Sequence, residues 1–248
     1  MSETEKNKGD IFGIGPYGET IKCGVESAVQ FLEALCLPAA EEFGLYLRDK
    51  VHRWRLKNTL AIIQEAKQIL EKRSNPESLH AHPRIVIKVI QEGSCIDDSD
   101  LQKMWAGLLA SSCTKDGTDE TNLIFVNILC QISSVQARII NYLTPESMRR
   151  FHAHLPNCNP ITVGKSKLHE VAGLTDQAVL ERELNHLGSL GLISWQTIRN
   201  VGEETRYIIR IEDVTLRLCA RCNGYEFYVD WARLYDVSEN NKQPNKNM

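Results

Sequence analysis

The sequence predicts a mainly α-helical protein, with an N-terminal helical bundle that contains one long helix and a C-terminal α+β domain of winged-helix type. Three observations lead to this prediction. Apolar residues recur at helical spacing from about residue 21, turn signals separate the periodic runs, and strand-like alternation begins only near residue 190. A chain of 248 residues is long enough to bury a substantial core in one large or two small domains.

The first half is predicted to be all-α. Pro38 suits the first turn of a helix, and an apolar face continues from Phe43 to Ile69. If this helix is unbroken, it has about 35 residues and is about 50 Å long. Ser74-Asn75-Pro76 is expected to end it, and His82-Pro83 to begin a shorter helix that closes at Gly93.

The segment DLQKMWAGLLASS, residues 100–112, combines a stripe of large side chains with a face of small ones. The large residues follow helical spacing and are Leu101, Met104, Trp105, Leu108 and Leu109. The small residues are Ala106, Gly107, Ala110 and Ser111. Ser99 and Gln102 are spaced as a capping box. Since small residues allow a second backbone to approach closely, we expect this helix to lie sandwiched inside the bundle.

The second half changes character after residue 131. Ser133 and Gln136 form a second capping box that opens a helix to Leu143, and Thr144-Pro145 is expected to begin a separate short helix. Thr175 is expected to cap a later helix, and the segments LISWQTI and TRYIIRI are predicted to form a hairpin. A closing helix, VTLRLCARC, is expected to end near Gly224. This order of helices and hairpin is typical of a winged helix, a relative of helix-turn-helix folds.

The predicted organisation therefore has four parts. Residues 1–20 form a flexible N-terminus, residues 21–131 the helical bundle, residues 132–235 the winged-helix-like domain, and residues 236–248 a disordered tail. No apolar run approaches the roughly 20 residues of a membrane span, and the polar first dozen residues lack a signal peptide. We expect a cytoplasmic protein whose eight cysteines are small buried hydrophobes rather than disulfides.

Several short motifs suggest chemistry, but each lacks the context that the chemistry needs. GIGPYG, residues 13–18, has no preceding strand, and Gly164-Lys165-Ser166 lacks the glycine that a phosphate-binding loop requires at position 159. Cys219 and Cys222 lack a second cysteine pair and are expected to pack inward from one helix face. The two His-Ala-His runs, at residues 80–82 and 152–154, lack a partner cluster. The sequence therefore predicts no metal, no cofactor and no catalytic residues, and thus a protein that is not an enzyme.

The densest run of positive charge lies between residues 48 and 57, and we call it the basic segment. Its candidate binding residues are Arg48, Lys50, His52, Arg53, Trp54, Arg55 and Lys57. On a helix this segment would present a basic stripe beside an aromatic ring, which suits a phosphate, a protein partner or an anionic membrane surface. The alternative is a solvated helix face that covers the core and pairs with Glu41, Glu42 and Asp49.

The winged-helix prediction raises the alternative of a DNA-binding transcription regulator. The helix that would read DNA carries Asp176, Glu181, Arg182 and Glu183, a net charge of −2 on the face expected to meet phosphates. The chain as a whole carries a net charge of −3. Repulsion of this kind favours a protein-interaction or structural role over DNA binding.

Two segments resemble the abortive infection alpha family of bacterial proteins. The first is the Pro-Ala-Ala-x-Glu-x-Gly pattern made by Pro38, Ala39, Ala40, Glu42 and Gly44, and the second is the helix from Trp105 to Ser111. The resemblance covers about residues 35–145. It implies resistance to bacteriophage by shutting down or killing the infected cell, and it supplies no catalytic residues. The expectation is a non-enzymatic defence protein that acts through a protein partner, self-association or an anionic membrane surface.

Overall fold

The computed structural model describes residues 19–48, 53–73, 78–152, 160–199 and 204–235. Within these ranges the protein is mainly α-helical with two small antiparallel sheets, which confirms the predicted fold class. The chain divides into two compact units. The first comprises Met1–Cys130 together with Cys222–Gly224, and the second comprises Gln131–Arg221 and Tyr225–Met248.

The first unit contains six helices within the described residues. They are α1 (Glu19–Leu35), α2 (Leu37–Arg48), α3 (Arg53–Glu71), α4 (Pro83–Gly93), α5 (Ser99–Ser111) and α6 (Leu123–Leu129). The all-α prediction for this half was wrong in one detail. Strand β1 (His80–Ala81) pairs antiparallel with strand β2 (Cys113–Thr114), and two-residue strands are too short to show an alternating pattern in the sequence.

The region predicted as one long helix contains α2 and α3. Residues 49–52 between them lie outside the described residues, so the continuity of this helix stays a prediction. Helix α2 packs against α1 and α4, while α3 packs along α5. Helix α4 begins and ends where the sequence predicts, because His82 caps it, Pro83 occupies its first turn and Gly93 is its last residue.

Helix α5 lies at the centre of the first unit, as predicted from its two faces. Every residue from Met104 to Ser111 is buried, on the small face as well as the large one. The predicted cap was wrong by one residue. The carboxylate of Asp98, not the hydroxyl of Ser99, accepts the backbone N–H groups of Asp100 and Leu101, each at 3.1 Å. The Asp98 carboxylate, one residue earlier than Ser99, reaches two free N–H groups of the first turn. Gln102 does not complete a capping box with Ser99, because its side chain donates to the Ile96 carbonyl at 2.7 Å.

The second unit places a three-stranded antiparallel sheet against helices. Along the chain its elements are α7 (Ser134–His152), β3 (Ile161–Gly164), α8 (Lys165–Ala172), α9 (Gln177–Ser189), β4 (Ile193–Ile198), β5 (Arg206–Ile211), α10 (Asp213–Cys222) and α11 (Tyr228–Ala232). The strand order is β3-β5-β4. The predicted hairpin is β4 and β5, and the predicted closing helix is α10. The winged-helix assignment itself stays a prediction.

Three local predictions in this unit were wrong. Strand β3 was not expected, because four residues give too short an alternation to recognise. Helix α7 continues through Thr144 and Pro145 instead of restarting there, and the Thr144 hydroxyl bonds back to the Ile140 carbonyl at 2.7 Å. Leu143 and Met148, on either side of Pro145, are both fully buried. Helix α9 is capped by Asp176, whose carboxylate accepts the Ala178 N–H at 2.8 Å, rather than by Thr175.

The second predicted capping box is present. The hydroxyl of Ser133 accepts the Gln136 N–H at 3.3 Å, and the Gln136 side chain accepts the Ser133 N–H at 3.0 Å. The core of this unit lies between α9 and the inner face of the sheet. It includes Leu180, Leu184, Leu187, Tyr207 and Ile209, all fully buried. Because side chains alternate along a strand, Arg206, Ile208 and Arg210 of β5 point to the opposite face.

Candidate functional site

The basic segment is only partly described. Lys50 and His52 lie outside the described residues, and for Arg48 and Arg53 only the helical backbone is described. The remaining three predicted residues, Trp54, Arg55 and Lys57, lie in the first turns of α3. The structure therefore locates the candidate site at the start of this helix.

Trp54 and Lys57 face outward at the start of α3. The indole of Trp54 is 49% exposed, and Lys57 is also exposed. Residues three apart lie on the same side of a helix, so the aromatic ring and the ammonium group are neighbours on the surface. We call these two residues the Trp–Lys pair.

Arg55 is half-buried and reaches toward the end of α4. Its guanidinium donates to the Ser94 hydroxyl through Nε at 3.1 Å and through Nη2 at 2.8 Å, and Nη2 also donates to the Gln91 carbonyl at 3.3 Å. The amide of Asn58, one turn further along α3, donates to the Ser94 carbonyl at 3.1 Å. Buried Ser94 thus fastens the start of α3 to the end of α4. Helical spacing alone predicted Arg55 as a binding residue. Spacing shows which face of a helix a residue occupies, but not which neighbouring helix its side chain reaches.

The structure also shows a groove that sequence reasoning missed. It lies between α1 and α3 and has a volume of about 680 Å³. A second hollow of about 330 Å³ shares Ser27, Lys67 and Glu71 with it. The groove exists only because two helices pack with a gap between them, and no single segment carries a signal for it.

The acidic charges of α9 are arranged differently from the prediction. Glu183 was expected to face outward, but its side chain is only 13% exposed and accepts from Gln136 at 2.8 Å and from Ser133 at 3.3 Å. Arg182 is 70% exposed and pairs with Glu183 at 2.8 Å. The correction follows from helix geometry, because Glu183 is next to buried Leu184 and faces α7. The outward charge of α9 is consequently less negative than the sequence count indicates.

Of the cysteines within the described residues, Cys36, Cys113, Cys219 and Cys222 are buried as predicted, whereas Cys23, Cys95 and Cys130 are exposed. The prediction of buried cysteines was wrong for these three, because apolar neighbours in sequence do not fix which face of a helix a side chain takes. Burial raises the pKa of Cys113 to about 12 and the pKa of Cys219 to about 11. Cys219 and Cys222 are both buried, as their spacing on one helix face predicts. Since the thiolate is the reactive form, a raised pKa keeps Cys113 and Cys219 unreactive at neutral pH.

The two His-Ala-His runs and the GIGPYG run are among the motifs left to compare with the structure. No group of three or more His, Cys, Asp or Glu side chains suited to a metal ion occurs among the described residues. His80 is exposed, while His82 accepts the Arg84 N–H at 3.3 Å as the cap of α4. The GIGPYG run, residues 13–18, lies outside the described residues, as does His154.

The Gly164-Lys165-Ser166 motif spans the junction of β3 and α8. The Ser166 N–H donates to the Glu204 carboxylate at 2.6 Å, so a side chain of the protein occupies the first turn of α8. Hydrogen bonds from the Ser166 hydroxyl and N–H lower the pKa of Glu204. The first turn of a helix attracts anions, and at α8 the Glu204 carboxylate of the protein itself takes this position.

In the part of the chain that the structure describes, no single helix is both long and apolar enough to cross a lipid bilayer. Two consecutive helices, Leu123–Leu129 and Ser134–Arg150, meet the length and composition requirement only when they are counted as one segment.

The fold and these surfaces define a mainly α-helical protein of two units, with an exposed aromatic–basic pair on one of them and with the thiols of Cys113 and Cys219 buried. Residues 57–223 match the family model described as abortive infection alpha, and the chain belongs to this family. Membership supports a role in abortive infection, the defence that the sequence resemblance implies. No curated protein and no solved structure matches the chain.

Proposed function

We propose that this protein is a non-enzymatic anti-phage defence protein of bacteria that acts by abortive infection from the cytoplasm. Membership of the abortive infection alpha family supports the defence role. Burial and a raised pKa make Cys113 and Cys219 poor nucleophiles. In this proposal the activity lies in contact with another molecule.

The contact surface we propose is the Trp–Lys pair together with the other cations of the basic segment. The single observation that carries this proposal is the 49% exposure of Trp54 beside exposed Lys57. Aromatic residues are enriched where proteins bind partners, and an indole beside a cation also suits the interfacial region of an anionic membrane. The Arg55–Ser94 contact supports the proposal further, since it holds the first turns of α3 in a fixed orientation.

The second unit is proposed to be a winged helix that docks a protein or mediates self-association. The order helix, strand, two helices and hairpin supports this assignment. A winged helix can present its hairpin and its third helix as one continuous surface, which suits a macromolecular partner.

The test is a phage challenge of cells that carry the wild-type gene or the double variant Trp54→Ala/Lys57→Ala. We expect the wild type to protect at a low phage-to-cell ratio and the culture to collapse at a high ratio. The double variant should lose protection while its far-UV circular dichroism and melting temperature match the wild type. Full protection by a well-folded double variant would contradict the proposed surface.

The matched control is Ile124→Ala/Lys115→Ala, which removes another exposed large apolar residue and another exposed lysine of the first unit. This control should protect like the wild type. Co-sedimentation with phosphatidylserine vesicles separates the two kinds of contact. If the wild type binds the vesicles, and if both added salt and the change Trp54→Ala/Lys57→Ala weaken that binding, the contact is with a membrane surface. If the wild type protects without binding vesicles, the contact is with a protein partner.

A further inference from the structure

The outer face of the sheet in the second unit carries a hollow with unusual chemistry. The register of the antiparallel pair β4–β5 sets Ser194 opposite Arg210 and Gln196 opposite Ile208. These four side chains point away from the core, because their neighbours Ile193, Tyr207, Ile209 and Ile211 point into it. Together with Pro160 and Trp195 they line a hollow of about 290 Å³.

Arg210 differs from most other arginines of this unit. Six of them pair with a carboxylate of the same unit: Arg149, Arg150, Arg182, Arg199, Arg217 and Arg233. Within the described ranges Arg210 forms no such ion pair, although it is exposed and carries the same charge. Its guanidinium therefore offers its N–H donors to whatever enters the hollow.

We propose that this hollow binds a phosphate-bearing ligand of nucleotide size, a site that goes beyond the proposed defence function. Among the described residues, those that line it include one guanidinium, one hydroxyl and one amide, and no carboxylate. An arginine fork matches two phosphate oxygens at once, and the Ser194 hydroxyl on the neighbouring strand is placed to donate to a third.

The rest of the hollow specifies the size and character of the ligand. Ile208 and Pro160 supply an apolar side on which a sugar or a base rests. The volume of about 290 Å³ is at the lower limit of small-molecule sites, which begin at about 300 Å³. A single nucleotide fits this description better than a duplex, whether it is free or part of a single strand.

Isothermal titration calorimetry on the full chain tests the site with three probes: inorganic phosphate, AMP and a five-nucleotide single-stranded RNA. We expect AMP or the RNA to bind more tightly than phosphate. Arg210→Ala should weaken that binding about tenfold or more, and Arg210→Lys should be intermediate because it keeps the charge but loses the fork. Tighter binding of AMP identifies a free nucleotide as the source, and tighter binding of the RNA identifies a strand.

The matched control is Arg217→Ala, which removes an exposed arginine of the same unit and should leave the affinity unchanged. Equal affinity of wild type and Arg210→Ala overturns the proposal, as does an absence of binding for all three probes. Phosphate binding as tightly as AMP overturns the assignment to nucleotides.

Discussion

The backbone carbonyl oxygen of Cys222 lies against Gly107 of α5, in the space that a Cβ atom of residue 107 would occupy. Both residues belong to the first unit. The small side chain at position 107 is thus explained by a specific partner, the polypeptide backbone of Cys222. Only glycine permits this approach, since any side chain at position 107 meets backbone atoms that cannot rotate away.

The first prediction concerns Gly107→Ala. Alanine normally stabilises a helix interior by about 0.5–1 kcal/mol relative to glycine. Here the collision with Cys222 should reverse the sign and lower the free energy of unfolding by about 1–3 kcal/mol. Urea denaturation checks the value. The control is Gly24→Ala in α1, where a Cβ would be 3.5 Å from Leu60 and the usual stabilisation is expected.

The second prediction separates Arg55 from its neighbours in the basic segment. Arg55→Ala leaves the Ser94 hydroxyl without its charged partner and should destabilise the protein by about 1–3 kcal/mol. Lys57→Ala should change stability by no more than about 0.5 kcal/mol, because Lys57 is exposed. A double-mutant cycle of Arg55→Ala with Ser94→Ala should give a coupling energy of about 0.5–3 kcal/mol. Additive effects of the two changes would show that the contact is unimportant in solution.

The third prediction concerns the reactivity of the thiols. At pH 8 a disulfide reagent such as DTNB should modify the exposed thiols Cys23 and Cys95 in the folded protein. Cys113 and Cys219 should react only after unfolding, since burial raises the pKa of both and blocks access. Peptide mapping by mass spectrometry identifies the modified sites. Labelling of Cys219 in the native state at the rate of Cys23 would contradict the structure.

The fourth prediction is a loss of stability at alkaline pH that Cys219 causes. Burial raises the pKa of this thiol from 9.0 to about 11, so the folded protein holds the proton that the unfolded chain releases. The stability that the folded protein gains by holding this proton is complete below pH 9. It is lost as the pH rises from 9 to 11. Because lysines and tyrosines titrate in the same range, the comparison is with Cys219→Ala, whose stability should fall less steeply over that interval. Parallel curves would contradict the prediction.

The fifth prediction concerns the carboxylate at the start of α8. The hydrogen bonds from Ser166 hold the pKa of Glu204 below 4.5 in the folded protein. The ionised carboxylate therefore stabilises the folded protein above the pKa that Glu204 has in the unfolded chain. This stabilisation is lost as the pH falls through the pKa of the folded state. Glu204→Gln should therefore be less stable than the wild type at pH 7 and equal to it in strong acid. The control is Glu92→Gln, which neutralises another exposed carboxylate. A loss of stability at pH 7 as large as that of Glu204→Gln would contradict the role assigned to the Ser166–Glu204 contact.

Sequence reasoning predicted the elements that local signals define. The ends of α4 follow from His82-Pro83 and Gly93, and the central position of α5 follows from its two faces. The Ser133–Gln136 box was predicted from spacing alone. These features depend on residues within one helical turn or one helix, so the sequence contains them directly.

The features that could not be predicted depend on which surfaces meet. Asp98 competes with Ser99 for the same N–H groups, and only the backbone conformation decides between them. Arg55 and Glu183 both appear solvent-facing by spacing, yet each has a partner 39 to 50 residues away in sequence. The hollow beside Arg210 requires the register of β4 and β5, which no single strand specifies.

The return of Cys222–Gly224 to the first unit has a consequence for biosynthesis. Arg73 of the first unit donates to the Gly224 carbonyl, so the N-terminal unit lacks a structural part until that residue leaves the ribosome. The whole stretch Gln131–Arg221 must be translated first, which takes several seconds at about 5–20 residues per second. Until then Gly107 lacks the Cys222 backbone that lies against it in the folded unit. The N-terminal unit therefore completes its folding only after residues 131–221 have been synthesised.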